Sequence, residues 1–201
     1  GVLNLGVEGM MLSSAVVAFA TAYYTGSPTL GLVTAMLMGA LLASIHAFLT
    51  VTMRANQVVS GLSITLFGTG LASFLGERLG PASNNRSLVG LVGPRFSPMV
   101  IPGLSEIPVL GAFFKQDVLT YVLYLLVPAA WYYLYRTRNG LTLRSVGESP
   151  QTADAMGINV LRIRYLYTIL GGVMVGLGGA HLSLAYAPGW VENITGGRGW
   201  I

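Results

Sequence analysis

Two histidines, His46 and His181, lie deep in apolar runs, and two charged residues, Glu8 and Arg198, stand at the edges of such runs. An ionisable group on a membrane helix is a functional candidate by default. Each histidine has two readings. It is a neutral imidazole hydrogen-bonded between helices, or it lines a path for a polar solute. Neither histidine has a carboxylate in its own run, so the pair makes a poor proton relay. The run interiors also lack Asp, Glu, Lys and Arg, which argues against an ion- or proton-coupled carrier. Asn4, Asn56 and Gln57 are further polar candidates for a solute path.

Enzyme chemistry finds no constellation. Ser60-Gly61-Leu62-Ser63 lacks the flanking glycine of a serine elbow, no HExxH occurs, and no two carboxylates share an apolar run. Gly68-Thr69-Gly70 falls mid-helix with no strand before it, unlike a phosphate-cradling loop. The absence of cysteine removes thiolate nucleophiles and thiolate metal sites.

The elements that carry these residues are read from where charge is missing. Only 18 of the 201 residues are Lys, Arg, Asp or Glu, and 53% are hydrophobic. A soluble domain of this length would hold about 50 charges. The net charge of +4 comes from loop residues, not from a basic stripe, so nucleic acid is not a partner. The class is an all-α integral membrane protein, a polytopic helical bundle in contact with lipid. A spanning helix needs about 20 apolar residues to cross about 30 Å of hydrocarbon. Residues 9–53 are uncharged and hold two spans, divided at Tyr24-Thr25-Gly26-Ser27-Pro28. Residues 55–76, 118–135 and 165–191 make a third, fourth and fifth. The chain starts at Gly1 without Met and stops at Ile201 as a new apolar run begins, so it reads as an internal piece of a longer protein.

Arg136, Arg138, Arg144, Arg162 and Arg164 follow the fourth span, and parity puts Arg54 on their side. Arg78, Arg86, Arg95 and Lys115 lie opposite. The bias favours a cytoplasmic loop at 136–164 and an external loop at 77–117. Small residues recur at four-residue spacing, as helices packed in lipid require. Span two has Ala35, Gly39, Ala43 and Ala47. Span three has Gly61, Thr65, Thr69 and Ser73, with a second row of Gly68, Ala72 and Gly76. Span five has Gly172, Gly176 and Ala180. These faces pack tightly or slide during a conformational cycle. A pore for a neutral polar solute would draw on Ser60, Ser63, Thr65 and Phe67, and on His181, Ser183 and Tyr186.

Within the cytoplasmic loop, Ser149 suits an N-cap, Pro150 the first helical position and Gly157 the left-handed residue after the last turn. That predicts a helix of about seven residues, too short to be stable alone in water. Its small residues and lack of Trp, Phe or Leu fit a protein groove better than a bilayer surface.

At three blocks the chain resembles the membrane-spanning permease subunits of bacterial ABC importers, in the branch handling nucleosides and simple sugars. These are Gly1-Val2-Leu3-Asn4-Leu5-Gly6-Val7-Glu8-Gly9-Met10-Met11, the stretch from Val146-Gly147-Glu148-Ser149-Pro150 through Ala153-Asp154-Ala155-Met156-Gly157-Ile158, and Thr195-Gly196-Gly197-Arg198-Gly199-Trp200-Ile201. The resemblance implies one permease domain over 1–201, incomplete at both ends, that moves a small polar solute inward by alternating access. The loop helix would be the coupling helix that docks on a cytoplasmic ATPase subunit, with Gly147, Glu148, Pro150, Ala153, Ala155 and Gly157 matching the family motif. ATP and Mg would bind that partner, and this chain would hydrolyse nothing and bind no cofactor or metal. A second permease subunit, identical or related, and an extracytoplasmic solute-binding protein would complete the assembly in the bacterial cytoplasmic (inner) membrane. The outer loop, with Pro81, Pro94, Pro98, Pro102 and Pro108, is a candidate dock for the binding protein. The alternative is a secondary transporter or channel for a small neutral solute.

The segments at Asn4–Met11 and Asn193–Ile201 share a shape: Asn, small residues, a charge, Gly, then an apolar run. Five spans separate them, so the helices they begin run in opposite directions, the pattern of an inverted repeat. Glu8 and Arg198 are then expected to pair near the pseudo-symmetry axis, since either charge alone deep in the bilayer costs about 3 kcal/mol.

Overall fold

Capping chemistry sets most boundaries of the bundle. The computed structural model describes residues 1–84, 86–100 and 113–200. Helix α1 (Val7–Thr25) ends at Gly26 with φ +71, and Ser27 with Pro28 opens α2 (Pro28–Ala47). A π-helical turn, Phe48–Thr52, extends α2. Asn56 caps α3 (Gln57–Arg78) by accepting the amides of Val58 and Val59. On the outer connection, β1 (Pro98–Val100) pairs antiparallel with β2 (Lys115–Asp117). Asp117 then caps α4 (Val118–Arg136). Helices α5 (Arg138–Glu148) and α6 (Pro150–Ala155) fill the inner loop, capped by Thr137 and Ser149. Helix α7 (Val160–His181) runs on through a second π-helical turn, Leu182–Tyr186.

The all-α, polytopic expectation holds, with one difference. Among the described residues four helices are long and apolar enough to cross a membrane: α2 with its extension, α3, α4 and α7 with its extension. Helix α1 occupies the place expected for the first of five spans but is less apolar, since it carries Glu8, Ser13, Ser14, Tyr23 and Tyr24. The reason is its position. α1 is enclosed by α2, α3 and α7, so Glu8, Ser13 and Ser14 are buried against protein, while Tyr24 at the outer end is exposed. The Ser13 hydroxyl donates to the Gly68 carbonyl at 2.9 Å.

Missing side chains set the helix spacing. A Cβ on Gly9 would lie 2.6 Å from the Ile64 carbonyl, and one on Gly68 would lie 2.5 Å from the Gly9 carbonyl, so α1 and α3 touch backbone to backbone. α2 crosses α7 antiparallel: Gly39 meets Gly172 and Gly176, while Ala35 and Ala43 meet Gly176 and Gly172. Both small-residue faces expected of spans two and five thus face each other. On span three the buried row is Gly61, Ile64, Gly68, Ala72 and Gly76; Thr69 is exposed. Helix α4 stands apart, with Leu119 its one buried residue. Two polar pairs tether it to α7: Asp117 with His181, and the hydroxyls of Tyr133 and Tyr167 at 2.6 Å.

Candidate functional site

Depth is fixed by the α1 contacts. Gly9 meets α3 at Ile64 and Thr65, and Ser14 meets α7 at Gly179. At about 1.5 Å of rise per residue, the start of α1 lies ~10 Å into α3 and ~19 Å along α7. Glu8 therefore sits in the middle third of the bundle, and it is 7% exposed. Its carboxylate accepts from the Thr195 hydroxyl at 2.5 Å, the Gly197 amide at 2.9 Å and the Gly199 amide at 2.6 Å. The chain reaches this point by turning back after Tyr186. Trp190 packs on Gly76 near the outer end of α3, Val89 bridges Trp190, and residues 195–200 descend to α1. Irregular backbone at this depth needs internal partners for its amides, and Glu8 supplies two of them.

The expected Glu8–Arg198 ion pair does not form. Among the described residues the single ion-pair contact joins His181 and Asp117. The Arg198 guanidinium lies 5.0 Å from the centre of the Tyr186 ring. The two similar segments do meet, through a carboxylate and backbone amides. Backbone amides make charge-assisted hydrogen bonds to a carboxylate, and they need no second buried charge.

His46 is fully buried and joins three elements: its Nδ1 is 3.1 Å from the Ser60 hydroxyl on α3, and its Nε2 is 3.1 Å from the Leu3 carbonyl. A carbonyl can only accept, so Nε2 carries a proton and donates. That is the inter-helix hydrogen-bonding role. His181 differs from expectation, because a carboxylate does reach it. Its Nε2 lies 3.3 Å from Asp117 Oδ2 and 3.4 Å from the Thr120 hydroxyl. Asp117 precedes the fourth span, so a search confined to the spans overlooked it. Burial raises the Asp117 carboxyl, but hydrogen bonds from the Thr120 hydroxyl and amide, with His181 beside it, bring it below the usual carboxylate range.

Asn4 bends its own segment, accepting the Gly6 amide at 2.9 Å. Asn56 caps α3, and Gln57 accepts the Leu3 amide at 2.7 Å. Ser60 and Ser183 are buried, Thr65 donates to the Leu5 carbonyl, and Phe67 and Tyr186 are exposed. Two hollows lie along the α1–α7 seam. The inner one, of about 310 Å³, is bounded by Asn4, Val7, Val146, Tyr167, Thr168 and Gly171. The outer one, of about 340 Å³, is bounded by Met11, Gly178, His181, Leu182, Tyr186 and Arg198.

On the inner face, Ser149 accepts the Thr152 amide, Pro150 is the first residue of α6, and Gly157 takes φ +81. Ala153 is buried against its own chain, whereas Gly147, Glu148, Ala155 and Gly157 are exposed and Pro150 is half-buried. In Asn193-Ile194-Thr195, Thr195 is fully buried while Asn193 is exposed. Pro102 and Pro108 of the outer loop, Asn85 and Ile201 lie outside the described residues.

Residues 1–200 match the family model described as "Branched-chain amino acid transport system / permease component". The chain is 45% identical to a protein of Haloferax volcanii named "Putative glucose ABC transporter permease protein", 36% identical to a guanosine ABC transporter permease of Bacillus subtilis, and 39% identical to a nucleoside ABC transporter permease of Lactococcus lactis. All of this chain is covered in each, but it spans only 60%, 64% and 64% of their lengths. No solved structure matches the chain.

Proposed function

The chain belongs to the permease family described as "Branched-chain amino acid transport system / permease component", and on that premise we propose that it is the membrane-spanning subunit of an ATP-driven importer for a nucleoside or simple sugar. The observation that carries this is the similarity over the whole chain to permeases named for glucose, guanosine and nucleosides, joined to a capped six-residue helix between α5 and α7. The permease domain covers 1–201 in part. The loop 136–164 is its cytoplasmic coupling loop, with Gly147, Glu148, Pro150, Ala155 and Gly157 toward an ATPase subunit, and Ala153 seating α6 on its own chain. The loop 77–117 faces outward, toward an extracytoplasmic solute-binding protein. ATP and Mg bind the partner ATPase, and a second permease completes the pair in the cytoplasmic (inner) membrane.

The two hollows on the α1–α7 seam are the inner and outer ends of the solute path in this reading. Asn4 and Thr168 offer amide and hydroxyl groups below, and His181, Tyr186 and Arg198 offer polar and ring surfaces above. A neutral solute rich in hydroxyls is served by such groups without a countercharge in the spans. Glu8 holds the separating layer together. The test is uptake of labelled guanosine and labelled glucose into proteoliposomes that contain the full-length permease pair, its ATPase and its binding protein. Uptake of either that requires enclosed ATP supports the reading. Uptake at the same rate without ATP, driven by the solute gradient alone, would replace it with a channel or secondary carrier.

A further inference from the structure

Arg54 occupies the turn between α2 and α3 with φ +52, a left-handed conformation that strains a non-glycine residue. The turn is not loose. The Met53 amide donates to the Phe48 carbonyl at 3.1 Å, the Ala55 amide to the Leu49 carbonyl at 2.9 Å, and Asn56 caps the next helix. The Thr52 hydroxyl meets that of Tyr165, which fastens the turn to the foot of α7. Arg54 thus stands on a rigid base. Its side chain walls an open cleft of about 600 Å³ whose far wall is α6, with Pro150, Gln151 and Asp154. Arg54 and Asp154 are both exposed, and neither is in an ion pair among the described residues. Met53, next to Arg54 in the chain, is 62% exposed.

From this we infer that the cleft between Arg54 and α6 is a second contact for the ATPase subunit, taking a surface element that offers a carboxylate to Arg54, a cation to Asp154 and an apolar side chain to the exposed Met53. The inference rests on the permease reading above. The mixture of signs selects the partner. An anionic lipid headgroup or a nucleotide would suit Arg54 but be repelled by Asp154, whereas a protein surface can oppose both charges. An exposed methionine adapts to an irregular partner surface. The consequence is mechanical. A partner gripping α6 alone moves the α5–α7 loop, while one that also grips Arg54 moves the α2–α3 hairpin with it.

The test uses the full-length permease co-purified with its ATPase. Arg54→Glu should lower ATPase recovery about tenfold at an unchanged gel-filtration profile. Arg54→Gly, which relieves the backbone strain and removes the side chain, should lower recovery while leaving Tm equal or higher. Met53→Cys should cross-link to the ATPase. Full recovery with Arg54→Glu alongside complete loss with Ala155→Trp overturns the second contact and leaves the permease reading standing. Full recovery with both variants overturns the permease reading itself. Recovery restored in Arg54→Glu/Asp154→Arg would show the two residues pairing with each other, which also overturns the inference. Loss by Arg54→Glu that vanishes when anionic lipid is omitted would assign Arg54 to headgroups and overturn it too.

Discussion

Glu8 and Gly197, 189 residues apart in sequence, are joined by a 2.9 Å hydrogen bond from the Gly197 amide to the Glu8 carboxylate. With Thr195 and Gly199 it closes a four-residue stitch in the middle of the bundle. The first turn of α1 and the returning segment after Tyr186 are thereby held as one unit.

Removing the acceptor should be costly. Glu8→Ala leaves a hydroxyl and two amides unpaired in a buried place, and is expected to cost about 3 kcal/mol. Arg198→Ala leaves the stitch intact and should change Tm little in the same detergent. Glu8→Arg combined with Arg198→Glu should not rescue either single variant, because the two side chains are not partners. Thermal unfolding of the four proteins followed by intrinsic fluorescence checks this.

His46 ties Leu3, α2 and α3 with no spare hydrogen-bonding atom. His46→Leu fills a similar volume but orphans the Leu3 carbonyl and Ser60 hydroxyl, for a loss of about 2 kcal/mol. His46→Gln can reach one of the two and should lose less. Denaturant midpoints in a fixed detergent would order the three proteins as wild type, glutamine, leucine.

The crossing of α2 and α7 tolerates no side chain at Gly39, where a Cβ would run into the Gly172 carbonyl. Gly39→Val should cost about 3 kcal/mol by overpacking. Gly70, with open space around the position of a Cβ, should accept valine with little change in assembly. Yield of monodisperse protein distinguishes the two sites.

Asp117 sets an acid limit on the α4 tether. Its folded-state carboxyl titrates below the ordinary range, so the stability it lends is present above the unfolded pKa of about 3.9 and is lost as pH falls through the lower folded value. Asp117→Asn keeps the acceptor for the Leu119 and Thr120 amides but has no charge to titrate. Acidified from pH 6 to about 3, the wild type should lose more Tm than Asp117→Asn, with the gap opening only below about pH 4.

The gaps between charges located α2, α3, α4 and α7 to within a few residues, because only uncharged runs of that length survive in lipid. Ser149, Pro150 and Gly157 located α6, because cap, first-turn and left-handed positions are local demands on single residues. Helix α5 was missed: Arg138 and Arg144 marked the stretch as loop, and its helix rests on the Thr137 cap and a seat for Val146. The π-helical turns after His46 and His181 left no mark, since they depend on packing at the helix ends. Glu8 is buried and Arg198 exposed, and sequence cannot show that backbone amides satisfy the Glu8 carboxylate. His181 looked isolated because Asp117 is distant along the chain and outside any span.

The account turns on α6 as the lever through which a nucleotide-driven partner moves the bundle. Its most direct test replaces Pro150–Ala155 by an equally long Gly-Ser stretch in the full-length importer, followed by ATP-dependent solute uptake and ATPase co-purification in the same preparation. The account predicts that the folded variant keeps its gel-filtration profile, loses the ATPase and takes up solute no faster than ATP-free vesicles. Uptake at the wild-type rate, with the ATPase still bound, would contradict it.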